Sequence, residues 1–173
     1  MKLKSFFSKI FIVLILLLPL SSFAQNLPIP QCLIDKIAYL QETLQSNNMP
    51  KFAAELGYVD IIKKSLSEQN ETGQNEFLAN AEYQLKEIFI HLQFDPESNS
   101  FKKICIEENE PDVITNKCIS AFWDGKIFST LIEWESVGFA EGNDEAFESA
   151  WKFFFEFNKE KGTLKLLDYG VAG

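Results

Sequence analysis

The aromatic stretch at 151–157 constrains the fold of this chain more than any other feature. Large aromatic residues occupy every second position of it: Trp151, Phe153, Phe155 and Phe157. Because side chains alternate between the two faces of a strand, this period predicts a half-buried β-strand. Leu164 and Leu166 resume the alternation after the polar turn 158–162, which predicts a hairpin. An isolated hairpin is marginal in water, so these rings require further strands beside them and a helical layer over them.

Helical periodicity dominates the first half of the chain. Apolar residues spaced by three and four predict a first helix over 33–44, and shorter helical segments follow over 53–56 and 59–66. A polar, glycine-containing stretch at 67–75 is typical of a loop. The strongest helical pattern covers 76–92, and we expect this helix to lie across the sheet.

Strand patterns fill the second half. Strands are predicted over three segments: 101–106, 117–123 and 126–134. Asp124-Gly125, between the last two, strongly indicates a hairpin turn. The segment 145–150 is either a helical turn or the start of the aromatic strand. Helices followed by strands predict an α+β fold, with N-terminal helices packed on one face of a C-terminal antiparallel meander sheet of about five strands.

The first 24 residues have the pattern of a bacterial signal peptide. Three lysines precede an apolar run at 10–18, and Ser22-Phe23-Ala24 places small residues where a signal peptidase cleaves. The run is too short to span a bilayer core of about 30 Å, which favours cleavage over a retained anchor. We therefore expect a single domain at 25–173 in a periplasmic or secreted protein, with no membrane association after cleavage.

The charge of the chain excludes some classes of partner. The net charge is −9, and removing the leader with its three lysines makes it −12. All sixteen basic residues are lysines, so the chain lacks the side chain best suited to a bidentate grip on phosphate. These features argue against nucleic acid and anionic lipid as partners. The negative charge either draws in a basic partner or merely keeps a phenylalanine-rich protein soluble.

Three cysteines remain after the leader, at 32, 105 and 118. In an oxidising compartment we expect Cys105 and Cys118 to pair, because they fall near facing positions of the first two predicted strands. Cys32, at the start of the first helix, would then be a buried free thiol, or less often a site for an intermolecular disulfide.

Catalytic and metal-binding patterns are weak. The sole histidine, His91, lies near the end of an apolar helix with Glu87 one turn earlier, which is typical of a packed and oriented ring. The chain has no Gly-x-Ser-x-Gly elbow, and ligands for zinc or calcium lack the usual spacing. Glu133 and Glu135 are predicted to share the sheet face opposite Trp134, either as an acid/base pair or as solvated carboxylates. We expect no enzymatic activity, metal or cofactor.

Two groups of residues are candidates for binding. The first is an acidic surface on two predicted loops, suited to a basic protein: Glu107, Glu108, Glu110, Asp112, Glu141, Asp144, Glu145 and Glu148. The second is a pocket between the helix 76–92 and a concave sheet, with the following lining: Tyr83, His91, Trp134, Trp151, Phe153 and Phe155.

The order of elements and the closing hairpin suggest a resemblance. Three helices ahead of an antiparallel sheet that ends in an aromatic strand, a Lys-Gly turn and the segment 162–168 look like the nuclear-transport-factor-2-like and cystatin-like folds. The chain departs from the former in having no strand pattern before Phe101. The resemblance implies either a ligand pocket or a non-catalytic binder, because such folds serve both.

The leading hypothesis from the sequence is an exported non-enzymatic binding protein, such as an inhibitor or immunity-type partner of another exported protein. The alternative is a small-ligand-binding domain that uses the pocket between the helix 76–92 and the sheet.

Overall fold

The computed structural model describes residues 27–110, 113–138 and 146–172, without the side chains of 108–110, 113–114, 136–138 and 146–147. In this part of the chain four helices precede seven strands, and the helices pack on one face of a five-stranded antiparallel sheet. The α+β fold class predicted from the sequence is confirmed.

The first three helices are α1 (Gln31–Gln45), α2 (Met49–Leu56) and α3 (Tyr58–Ser65). The apolar stripe of α1 is buried, as its spacing predicted. Helix α2 begins where the side chain of Asn48 accepts a hydrogen bond from the backbone N–H of Lys51. It ends at Gly57, whose φ of +66° is strained for other residues, so this glycine separates α2 from α3.

Helix α4 (Glu71–His91) starts five residues earlier than the predicted helix 76–92. The side chain of Asn70 accepts a hydrogen bond from the backbone N–H of Gly73 at 2.8 Å, which satisfies a donor of the first turn. The predicted loop 67–75 is therefore wrong from residue 71 onward, because an asparagine cap outweighs the low helix propensity of Gly73.

The sheet is a meander in which each strand pairs with the next. A small hairpin, β1 (Phe94–Asp95) with β2 (Ser100–Phe101), precedes it. The five strands of the main sheet follow in sequence order: β3 (Ile104–Glu110), β4 (Val113–Trp123), β5 (Ile127–Gly138), β6 (Ala146–Asn158) and β7 (Thr163–Ala172).

Several strand boundaries differ from the predicted ones. The predicted strand 101–106 is divided, because Phe101 pairs with Phe94 in the small hairpin and β3 begins only at Ile104. Strand β4 begins four residues before the predicted 117–123, and β5 ends four residues after the predicted 126–134. The segment from Ala146 to Ala150 is strand and not helical turn, since β6 is continuous to Asn158.

The core lies between the helices and the sheet face that we call the inner face. The aromatic rings of β6 supply much of it: Phe153 and Phe155 are fully buried, and Trp151 is 6% exposed. Phe89 of α4 packs edge-on against Phe155 with ring centroids 5.7 Å apart, and similarly against Phe52 at 5.5 Å. The opposite face of the sheet, the outer face, carries the alternate residues of each strand.

Candidate functional site

A cleft of about 520 Å³ lies on the outer face of the sheet. Strand register places four residues side by side across the centre of the cleft: Cys118, Glu133, Ala150 and Ala172. Three of these four have small side chains. Among the described residues, ten line the cleft: Lys103, Asn116, Cys118, Glu133, Trp134, Glu135, Glu148, Ser149, Ala150 and Ala172. The depression forms because two alanines stand among long charged side chains.

The charges around the cleft are unbalanced. Glu133, Glu135 and Glu148 contribute three carboxylates, and Lys103 is the one cation among the lining residues that the structure describes. The Nζ atom of Lys103 lies 3.6 Å from the Oε2 atom of Glu133, but both side chains are about half exposed, so this ion pair adds little stability. The described lining therefore has two negative charges in excess, and such an excess attracts cationic groups over a distance of about 10 Å at moderate salt.

The described lining of the cleft consists mainly of carboxylates, small side chains and one ammonium group. The one cysteine among the described residues of the lining, Cys118, is held in a disulfide, and those residues include no histidine. Glu133 and Glu135 share this face opposite Trp134, as strand alternation predicted, and both are solvent-exposed. Among the described residues no group of His, Cys, Asp or Glu side chains has the arrangement of a metal site.

One wall of the cleft is stiffened by a disulfide. Cys105 and Cys118 are bonded across directly paired positions of β3 and β4, which confirms the predicted pairing. The bridge holds the edge strand β3 against β4 and closes a loop of thirteen residues. Cys32 is a free thiol, but it is exposed and not buried as predicted, because it lies on the solvent side of the first turn of α1.

The predicted pocket between helix and sheet does not form from the residues proposed for it. Trp151, Phe153 and Phe155 fill the core by ring packing, with Trp151 nearly parallel to Phe153 at 5.9 Å. Tyr83 is 48% exposed on α4 and cannot anchor a ligand in that interface. The alternating aromatic residues signalled the solid core of the domain and not the lining of a cavity.

Trp134 and His91 belong to a cluster of polar contacts between helix α4 and the sheet. The indole Nε1–H of Trp134 donates to the side-chain oxygen of Gln84 at 3.3 Å. The Nζ atom of Lys117 lies 2.8 Å from the carboxylate of Glu87 and 4.9 Å from the centre of the Trp134 ring, with the lysine side chain only 4% exposed. His91 is oriented by the backbone carbonyl of Glu87 at 2.8 Å and not by its carboxylate. The cluster joins α4 to the sheet.

The predicted acidic surface is described only in part. Glu107 and Glu148 are exposed on the outer face, Glu107 opposite Asn116 and Glu148 opposite Glu135, so both lie on strands and not on loops. The backbones of Glu108 and Glu110 continue β3, without described side chains. The other four members lie outside the described residues: Asp112, Glu141, Asp144 and Glu145.

Lys103, Asn116 and the two alanines of the cleft were not predicted as site residues. Alternation along β6 from the aromatic stretch already placed Ala150 on the same face as Glu148. Which residues of β4, β5 and β7 stand beside it depends on strand register, which local patterns do not specify.

No protein-family model, curated protein or solved structure matches this chain. The resemblance to nuclear-transport-factor-2-like and cystatin-like folds therefore stays a prediction. No helix within the described ranges is long and apolar enough to cross a membrane.

Proposed function

We propose that this chain is an exported, non-enzymatic binding protein that recognises a basic partner protein through the cleft on its outer face. The observation that carries the proposal is the cleft itself, in which three carboxylates face one lysine around a floor of small residues. Such a depression receives the ammonium or guanidinium group of a partner side chain, and the stems of those side chains cover the alanines.

The leader pattern at 1–24 supports export, and the disulfide is compatible with it. Disulfides persist in oxidising compartments such as the bacterial periplasm and are rare in the cytosol. The bond between Cys105 and Cys118 agrees with this environment. Another exported protein is then the natural partner, and an inhibitor or immunity-type role fits a small domain with a charged contact face.

The lining of the cleft favours a protein partner over a small ligand. Small-molecule sites are mostly apolar and enclose the ligand, whereas four charged side chains are among the described lining of this cleft, which lies on an exposed sheet face. A charged contact surface with long-range attraction mainly speeds association and selects the partner, which suits a binder that must find one protein in a crowded envelope.

The test compares two variants of equal charge. The first replaces the cleft carboxylates: Glu133→Gln, Glu135→Gln and Glu148→Gln. The control replaces three exposed glutamates of the helical layer: Glu42→Gln, Glu68→Gln and Glu76→Gln. Each mature protein is used as bait for its own envelope fraction, and the captured protein is purified and titrated at several salt concentrations.

We expect the wild type and the control to bind with an affinity that falls as salt rises, and the cleft variant to bind more weakly with a flatter salt dependence. A third variant, Ala150→Leu, fills the cleft without changing charge and is also expected to weaken binding. A partner that binds all four proteins equally, independently of salt, would contradict the proposal.

A further inference from the structure

The disulfide between Cys105 and Cys118 lies on the outer face of the sheet, at one side of the cleft. Cys105 is exposed on the edge strand β3, while Cys118 is half-buried and lines the cleft. The four helices pack on the opposite, inner face. Because access limits the rate at which a thiol attacks a disulfide, this position leaves the bridge open to attack in the folded protein.

The bridge can open without disturbing the core. None of the described side chains of β3 belongs to the buried core: Ile104 and Ile106 are half-buried, and Cys105 and Glu107 are exposed. Strand β3 pairs with β4 along its whole length, from Ile104 to Glu110, so the backbone ladder holds the strand when one sulfur–sulfur bond is exchanged. The fold of the inner face therefore does not depend on this bond.

Carboxylates share the cleft with the sulfur of Cys118. Glu133 stands directly opposite Cys118 in the register of β4 and β5, a position at which β-carbons are about 4.5–5.5 Å apart. Lys103 pairs with Glu133, and Lys152 of the same face is turned towards Phe154, with its Nζ atom 5.0 Å from the centre of that ring. The described lining keeps two negative charges in excess, which repel an anionic thiol and attract a cationic one.

We propose that the bridge between Cys105 and Cys118 is a site of thiol–disulfide exchange that selects thiols with positive charge beside the sulfur. Such a thiol is either a cysteine flanked by basic residues in another protein or a free aminothiol. This chemistry goes beyond the proposed binding function: it uses the same carboxylates, but it does not require that a partner protein binds at the cleft.

The exchange step is balanced by the two cysteines and the incoming thiol. The attacking thiolate forms a bond to the Sγ atom of Cys105, the more exposed of the two, as the bond between Cys105 and Cys118 breaks. The electron pair of the broken bond goes to Cys118, which leaves as a thiolate and then takes a proton from water. One disulfide replaces another, so no oxidant or reductant is consumed. The departing thiolate adds negative charge beside Glu133, and a cationic group on the attacking thiol compensates for it.

Trapping of mixed disulfides tests the inference on the native mature protein, with Cys32 first blocked by iodoacetamide. The thiols are three end-blocked tripeptides, Lys-Cys-Lys, Ser-Cys-Ser and Glu-Cys-Glu, and the free aminothiol cysteamine. Each rate is divided by the rate of the same thiol with hydroxyethyl disulfide, which is uncharged, so differences in thiolate fraction and nucleophilicity cancel. Reactions are quenched with acid, and peptide mass analysis locates the adduct.

We expect the adduct on Cys105 and a free thiol on Cys118. At low salt the normalised rate of Lys-Cys-Lys should exceed that of Ser-Cys-Ser by about tenfold, the order given by two positive and two negative charges at roughly 10 Å in water. Glu-Cys-Glu should be slower than Ser-Cys-Ser by a similar factor, and molar salt should bring the three rates together. The cleft variant of the preceding experiment should lose this order, and its helical-layer control should keep it.

The comparison with cysteamine identifies the source of the thiol. A normalised rate near that of Lys-Cys-Lys supports a free aminothiol, and a rate near that of Ser-Cys-Ser supports a cysteine in a basic protein. Equal normalised rates for the three peptides at low salt overturn the proposal, as does an order that persists in the cleft variant. Adducts that form only after guanidinium unfolds the protein would show that the bridge is purely structural. None of these results depends on whether the captured partner binds at the cleft, so the two proposals fail separately.

Discussion

Replacing Thr130 by valine should stabilise this protein. Thr130 is fully buried on the inner face of β5, between Ala121 of β4 and Phe153 of β6. Its Oγ1 atom has no hydrogen-bond partner among the described residues. A buried hydroxyl without a partner costs about 1–3 kcal/mol of desolvation, and valine has nearly the same shape without that cost.

We expect Thr130→Val to raise the free energy of unfolding by about 1–2 kcal/mol, which is roughly 3–6 °C in melting temperature for a domain of this size. The measurement is guanidinium unfolding followed by tryptophan fluorescence with the disulfide intact. Thr130→Ser is the matched control, because it keeps the hydroxyl and removes a buried methyl group, and it should destabilise by about 1 kcal/mol. A valine variant less stable than the wild type would show that the hydroxyl is satisfied in solution.

Three further predictions concern buried charge, pH and thiols. Lys117→Met should lower the free energy of unfolding by about 2–3 kcal/mol in the same assay, because it leaves the largely buried carboxylate of Glu87 without its ammonium partner. Adding Glu87→Leu should recover part of this loss. The backbone N–H groups of Ile127 and Lys126 donate hydrogen bonds to the carboxylate of Asp124 and lower its pKa. The stabilisation that these bonds give is therefore complete above the ordinary carboxyl pKa of about 4 and is lost as the pH falls through the lower pKa of the folded state. Melting temperatures of Asp124→Asn and the wild type should converge as the pH falls below about 4. Alkylation of the unreduced native protein, read by peptide mass analysis, should label Cys32 alone, and label on either bridged cysteine would contradict the disulfide.

The parts of the fold that the sequence predicted are those governed by local periodicity. Phe153 and Phe155 alternate with polar residues, and burial of that face follows directly from the geometry of a strand. The hairpin between β4 and β5 follows from Asp124-Gly125, and Gly125 has the positive φ of +104° that this turn requires. The disulfide follows because a hairpin brings residues 105 and 118 opposite each other.

The parts that the sequence did not predict depend on contacts between distant segments. The start of α4 is set by one hydrogen bond that the side chain of Asn70 accepts from the backbone N–H of Gly73, in a stretch whose composition is otherwise typical of a loop. The cleft exists because Ala150 pairs with Glu133 and Ala172, and a shift of one residue would turn every side chain of β6 to the other face. Alternation along each strand therefore predicts the sheet face on which a carboxylate lies. Only the register between β5 and β6 shows that Glu133, Glu135 and Glu148 line the same cleft.

The packing of the inner face decides where a partner can bind. Aromatic rings of β6 and α4 fill the helix–sheet interface, so a ligand there would have to displace Phe155 or Phe89 at a cost of several kcal/mol. Strand β7 lies beside α2, where the Nζ atom of Lys165 donates to the backbone carbonyl of Ala54 at 2.7 Å. The outer face carries the cleft, and the disulfide fixes the β3–β4 wall of the cleft before any partner arrives. A preformed wall reduces the ordering cost that association at the cleft would carry, because the strands there need not be immobilised by the partner.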